Sequence, residues 1–101
     1  MTKKYIMSSI YHPKHGYEKE FLRIWKEGIC RPAIQKDAWG VGIYHNIEMN
    51  EYYASEHWSD LKHMNAFFQS KEVQEVTKKI NQLSSSPITR DILEIISEEA
   101  A

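Results

Sequence analysis

Residues 52–83 read YYASEHWSDLKHMNAFFQSKEVQEVTKKINQL, and partway along this stretch strand-like alternation gives way to helical spacing. Up to Trp58 the side chains alternate: Tyr52, Ala54, Glu56 and Trp58 share one side, and Tyr53, Ser55 and His57 the other. Ser59 or Asp60 can then cap a helix, its side-chain oxygen accepting backbone donors that have no partner in the first turn. Leu61, Met64 and Phe67 or Phe68 give that helix an apolar stripe. Ser70 reads as a second cap, followed by Val73, Val76, Ile80 and Leu83 at helical spacing. The stretch is a strand, a turn and a helical region split in two, so the rest of the chain must supply sheet partners and a further helix.

Working outward, residues 41–47 form a strand in which Val41, Ile43, His45 and Ile47 share a face while Tyr44 and Asn46 point the other way. Gly40 and Gly42 leave room there for a bulge or a close approach. Met49, Asn50 and Glu51 turn the chain back into residues 52–58 as a hairpin. Residues 17–29 carry Phe21, Leu22, Trp25 and Ile29 on one stripe, which predicts a helix. Gly28 weakens it, and Pro32 predicts a kink or a restart with proline in an early helical position over residues 32–36. At the start, residues 4–12 alternate as a strand with Ile6, Ser8 and Ile10 on one face and Tyr5, Met7, Ser9 and Tyr11 on the other, ending before Pro13. Beyond the loop Ser84-Ser85-Ser86-Pro87, residues 88–96 read as a last strand and residues 97–101 as a loose tail.

The order β-α-β-β-α-β, with the second helix split, is the ferredoxin-like α+β arrangement: an antiparallel sheet with two helices on one face. The other face needs a cover, and pairing two such sheets about a two-fold axis is the simplest, so a homodimer through the open face is expected. The 101 residues fit one domain, with an ordered core over about residues 4–96. A hydrophobic share of 42% and a charged share of 27% indicate an ordered chain. A formal charge of -1 provides no field that would gather nucleic acid or anionic lipid. No apolar run approaches the roughly 20 residues that span a bilayer, and the first residues carry no signal-peptide pattern. Cys30 is the one cysteine, which removes disulfide frameworks and thiolate metal clusters and makes a reducing, cytoplasmic setting the default.

Six tyrosines, three phenylalanines and three tryptophans are a heavy aromatic load, suited to a core, a cavity wall or a subunit interface. Glu56 and Trp58 place a carboxylate beside an indole, able to hold or deprotonate an acidic substrate group; the plain alternative is an ion-paired carboxylate beside a packed ring. Alternation forbids Glu56 and His57 from both pointing inward. The histidines His12, His15, His45, His57 and His63 match no strong metal spacing, so no metal or cofactor is expected. His45 interrupts an apolar face and must either reach a partner or line a cavity. Cys30 reads as a packed thiol. No phosphate-binding glycine loop or nucleophile-elbow motif occurs.

The run Glu56-His57-Trp58-Ser59-Asp60-Leu61, the helix to Phe68 and then Ser70-Lys71-Glu72-Val73 resemble the strand-turn-helix segment of the antibiotic biosynthesis monooxygenase domain, of the dimeric α+β barrel superfamily. The resemblance extends in element order and length from Tyr5 to about Ile96. It implies a homodimer whose sheets form a barrel-like core, with a pocket in each subunit between sheet and helices. Some relatives oxidise polycyclic phenols with molecular oxygen and neither metal nor flavin. The protein supplies an apolar pocket and helps form the substrate anion, which reduces oxygen itself. Trp58 would then wall the pocket, Glu56 or His57 would orient or deprotonate, and Tyr44 or Tyr53 would contact a substrate oxygen. His45, Phe67 and Ser9 are further lining candidates. Phe67 stands where many relatives carry a histidine, for which His63, one turn earlier, could substitute. Haem-degrading relatives use an asparagine, a tryptophan and a histidine; Trp58 matches, but Ser9 and Thr77 fall at the other two positions, which disfavours haem turnover. The resemblance leaves two main expectations, a cofactor-independent monooxygenase of a small aromatic or quinol-like metabolite and a non-catalytic small-molecule binding protein of the same fold.

Overall fold

In the computed structural model of the chain, which describes residues 4–99, four strands form one antiparallel sheet in the order β2-β3-β1-β4. They are β1 (Tyr5–Tyr11), β2 (Gly40–Asn46), β3 (Glu51–Trp58) and β4 (Thr89–Glu94). This is the ferredoxin-like order expected from the sequence. Residues 1–3 and the end of the expected tail, Ala100 and Ala101, lie outside the described residues. The last strand is shorter than residues 88–96; beyond Glu94 a single backbone bond from Ile95 to Lys4 continues the pairing.

Register decides which side chains face the helices. Tyr5 lies opposite Trp58, Met7 opposite Glu56, Ser9 opposite Ala54 and Tyr11 opposite Tyr52. On this face Met7, Ser9, Tyr11, Tyr52, Ala54, Glu56 and Trp58 are all buried, so the core sits between sheet and helices. The opposite face carries Tyr44, Tyr53 and Leu93, all exposed. Pairing runs without a bulge through β2, and Gly42 instead makes way for the Tyr44 ring, whose hydroxyl would lie 2.6 Å from an added Cβ.

The first helical region has three parts: α1 (Glu18–Trp25), a π-helical turn (Lys26–Cys30) and α2 (Arg31–Gln35). Pro32 takes the early helical position expected, in the first turn of α2, but the backbone stays helical from Glu18 to Gln35 and does not restart. A proline within a continuous α-helix would leave the carbonyl four residues earlier without a donor and crowd it. The wider π turn accommodates the mismatch without breaking the helix. Gly28, within that turn, meets the next helical layer so closely that an added Cβ would stand 2.7 Å from both Val76 methyls.

The second region is α3 (Leu61–Gln69) and α4 (Lys71–Gln82). Asp60 is the first cap, its carboxylate accepting from the Lys62 and His63 backbone at 2.8 and 3.3 Å. Ser70 is extended, which separates the two helices; its hydroxyl donates to Phe67 and accepts from Val73. The loop after α4 is tied to the end of β1 by bonds from Lys14 to Leu83 and from Ser85 to His12. That connection sets where β4 enters the sheet, and therefore where Arg90 falls.

Candidate functional site

Glu56 sits on an interior strand of the sheet, opposite Met7 on β1 and Val41 on β2. It is fully buried, and neither carboxyl oxygen has a hydrogen-bond partner. An ionised carboxylate cannot be kept there cheaply. Burial pushes its pKa from 4.5 to about 8, against the opposing pull of the Arg90 guanidinium, so Glu56 is mostly the neutral acid at pH 7. Trp58, two residues on, is equally buried and its indole N–H is also unpartnered. Its ring packs against Phe67 at 5.3 Å and Phe68 at 6.4 Å. Four buried polar atoms are left unpaired among the described residues, and three of them belong to this Glu-x-Trp pair. Buried polar atoms are almost always satisfied in a folded chain, which singles this pair out as the candidate site.

A second polar group faces the same interior. Arg90 of β4 lies opposite Ser9 and donates from Nε to the Ser9 hydroxyl at 3.3 Å. Its two terminal nitrogens donate to Thr77 at 3.1 Å and Tyr11 at 3.3 Å. The guanidinium also lies over the Phe68 ring, 5.1 Å from its centre. Burial raises the Tyr11 pKa, with Arg90 opposing, so the phenol remains a neutral hydroxyl. Ser9 and Thr77, the positions that resemblance matched to the haem-branch asparagine and histidine, are thus joined through one arginine.

The remaining candidates divide by face. Glu56 points inward and His57 outward, where the His57 ring packs at a tilt against Trp39, 4.5 Å between centres, and lies 3.9 Å from Glu98. Tyr44 and Tyr53 are on that outer face too, Tyr53 donating to Glu51 at 2.8 Å. Within one subunit, therefore, His57, Tyr44 and Tyr53 do not join Glu56 and Trp58. His45 is on the helix-side face but beyond the helices. It stacks on Tyr52 at 4.5 Å and bonds Asn50 at 3.0 Å, so it reaches a partner and does not line the interior. Ser9 and Phe67 do lie inside. Cys30 is half-buried, and burial pushes its thiol pKa up.

His63 lies on the surface of α3, 3.8 Å from Asp37 and 3.9 Å from Asp60. Two clefts meet at His63 and Asp37. One, of about 610 Å³, runs past Pro32, Phe67 and Ser70. The other, of about 520 Å³, reaches Tyr5, the edge of Trp58 and Ser59. The contribution of His63 is to the rim, one layer out from Glu56.

Sequence reading missed Arg90 and Tyr11 as site residues. The available signal was alternation in the last strand, where Arg90 interrupts Ile88 and Ile92 on one face as His45 interrupts β2.

Among the described residues no group of three or more His, Cys, Asp or Glu side chains is placed to hold a metal, and no helix is long and apolar enough to cross a membrane. No family model and no curated protein matches the sequence. Solved structures do match in fold. Rv0793 from Mycobacterium tuberculosis superposes with a TM-score of 0.82 at 12% identity, over 96% of this chain and 99% of that one. A protein from Nitrosomonas europaea, provisionally described as an antibiotic biosynthesis monooxygenase, gives 0.81 at 10% identity, over 95% and 93%. One from Bordetella bronchiseptica with the same provisional description gives 0.77 at 18% identity, over 94% and 99%. At these identities the likeness is one of fold, and the fold of this chain is the ferredoxin-like α+β fold of the antibiotic biosynthesis monooxygenase family.

Proposed function

We propose that this chain is a cofactor-independent monooxygenase of a small aromatic or quinol-like metabolite, working as a homodimer through the open face of its sheet. The observation that carries the reading is Glu56: an unpartnered interior carboxyl whose proton affinity is set near neutral pH, beside a buried tryptophan. A general base works best when its pKa lies near the working pH, and a phenol is a weak enough acid to need one. In its ionised form Glu56 takes the phenolic proton and becomes the acid. The electron-rich phenolate passes one electron to molecular oxygen, and the two radicals join at a ring carbon. Glu56 returns the proton to the new peroxide, and loss of water leaves a quinone. One oxygen atom thus ends in the product and one in water, with the substrate as the only reductant. Trp58 and Phe67 hold the ring and keep water from the anion.

A second reading has its own observation: Phe67 and Phe68 already pack on Trp58, which favours a small-molecule binding protein whose ligand sits elsewhere, or a structural role, over catalysis beside Glu56. Oxygen consumption with hydroxylated naphthalenes and anthracene-like compounds separates the two. The enzyme reading expects uptake by the wild type and a large loss in both Trp58→Phe and Glu56→Gln. Equal rates in all three proteins would remove the proposed site. Tight binding of the same compounds without oxygen uptake would establish the binding protein instead.

A further inference from the structure

Arg90 has an unusual set of partners for a half-buried guanidinium. Its three hydrogen bonds all go to neutral hydroxyls, those of Ser9, Thr77 and Tyr11. Among the described residues no carboxylate stands at ion-pair distance from it. Taking such a charge out of water is costly, and a folded chain ordinarily offsets it with an acid. The carboxyl that Arg90 acts on, Glu56, does not bond to it and is itself mostly neutral at pH 7. Arginine has five N–H donors in a planar fork, so two remain after these three bonds.

The surroundings are those of a shelf that a ring could occupy. β4 is an edge strand paired to β1, and the helical layer hardly reaches over it. On the face shared with Arg90, Ile92 is 50% exposed although it faces the helix side. Phe68 is the wall: the guanidinium lies over its ring, and Trp58 meets it edge-on. A flat ligand against Phe68 therefore has its anionic end at Arg90 and its other end toward Trp58 and Glu56.

We propose that Arg90 is the anion-recognition residue of this site, selecting aromatic ligands that carry an ionised carboxylate on the ring. The proposal rests on the preceding reading for the placement of the ring, but it concerns binding and not turnover. Ser9, Thr77 and Tyr11 hold the guanidinium plane in a fixed orientation without neutralising it, leaving the charge for the ligand. A charge-assisted bond of this kind is shorter and stronger than one between neutral groups.

The test is calorimetric titration of the wild-type protein with 1-hydroxy-2-naphthoate and with 1-naphthol, which differ by the carboxylate. The wild type is expected to bind the naphthoate at least about tenfold more tightly, as a hydrogen-bonded charge implies. Arg90→Gln should abolish that preference while retaining the affinity for 1-naphthol, and Arg90→Lys, which keeps the charge but loses the fork, should retain part of it. Folding of each variant is checked by its urea midpoint. Equal affinity of the wild type for both probes, binding of neither, or a preference that survives in Arg90→Gln would each overturn the proposal. A preference found together with an absence of oxygen uptake would leave Arg90 assigned and the monooxygenase reading refuted.

Discussion

Replacing Glu56 by glutamine should remove the pH dependence of stability that this group imposes in a defined window. The unfolded chain gives up this carboxyl proton near pH 4.5 and the folded chain at about 8, because burial disfavours the anion. Between these values the folded state keeps a proton that the unfolded state has lost. Stability contributed by this group is therefore fully present below about 4.5 and is lost as pH rises to about 8, with a limiting slope of about 1.4 kcal/mol per pH unit. Over the whole window the loss is on the order of 5 kcal/mol, a large part of the roughly 5 to 15 kcal/mol that holds a domain together. Glutamine has no proton to lose, so the slope should vanish. Its buried amide also lacks a partner, which costs about 1 to 3 kcal/mol at every pH. Glu56→Gln should accordingly be less stable than the wild type near pH 4.5 and more stable at pH 8.5, the two profiles crossing between about pH 5 and 6.5. Urea midpoints at half-unit pH steps and one fixed protein concentration would show the crossing. Parallel profiles from pH 5 to 9 would refute the reasoning, since they would mean that Glu56 titrates alike in the folded and unfolded chains.

Three further outcomes follow from the same contacts. Gly28→Ala should destabilise by about 1 to 3 kcal/mol despite alanine's better helix propensity, because the new methyl meets Val76 at 2.7 Å; Val76→Ala in the same chain should recover much of the loss in urea denaturation. Tyr53→Glu, on the exposed sheet face, should shift the proposed homodimer toward monomer in sedimentation experiments while leaving the far-ultraviolet circular dichroism intact; a wild type that sediments as a monomer would refute the dimer, and an unchanged dimer in the variant would place the interface elsewhere. Titration with haem should leave its Soret band unshifted, because Ser9 and Thr77 offer hydroxyls already bonded to Arg90, and a shifted band would restore the haem reading.

The fold was largely legible because its signals are local and repeated. Alternation placed Glu56 with Trp58 and Met7 with Ser9, but which residue faces which across β1 and β3 is a long-range pairing that alternation leaves open. Asp60 and Ser70 marked their helix starts because a cap is a property of a few consecutive residues. The π turn was not legible in the same way: Pro32 announced a disturbance, but its form depends on Gly28 meeting Val76, residues far apart in the chain.

The site was half legible, and the division follows the same line. Glu56 and Trp58 could be paired on paper because they lie two apart on one strand, and alternation said that His57 would take the opposite face from Glu56. Which of the two faces lay under the helices was not a property of that strand; it was settled by the burial of Met7, Ser9 and Tyr11 beside it. Arg90 lies beyond both signals. It reaches Ser9 across 81 positions of sequence and Tyr11 across 79, through a register fixed by the loop that ties Ser85 to His12. The pairing of Glu56 with Trp58 was thus readable from one strand, though not its burial, whereas the cation that acts against the acid required three elements to close on one another. A site whose acid and cation come from different strands can change its ligand by substitution on β4 without disturbing Glu56. Arg90 is therefore the position at which proteins of this fold with a similar interior acid would be expected to differ in what they bind.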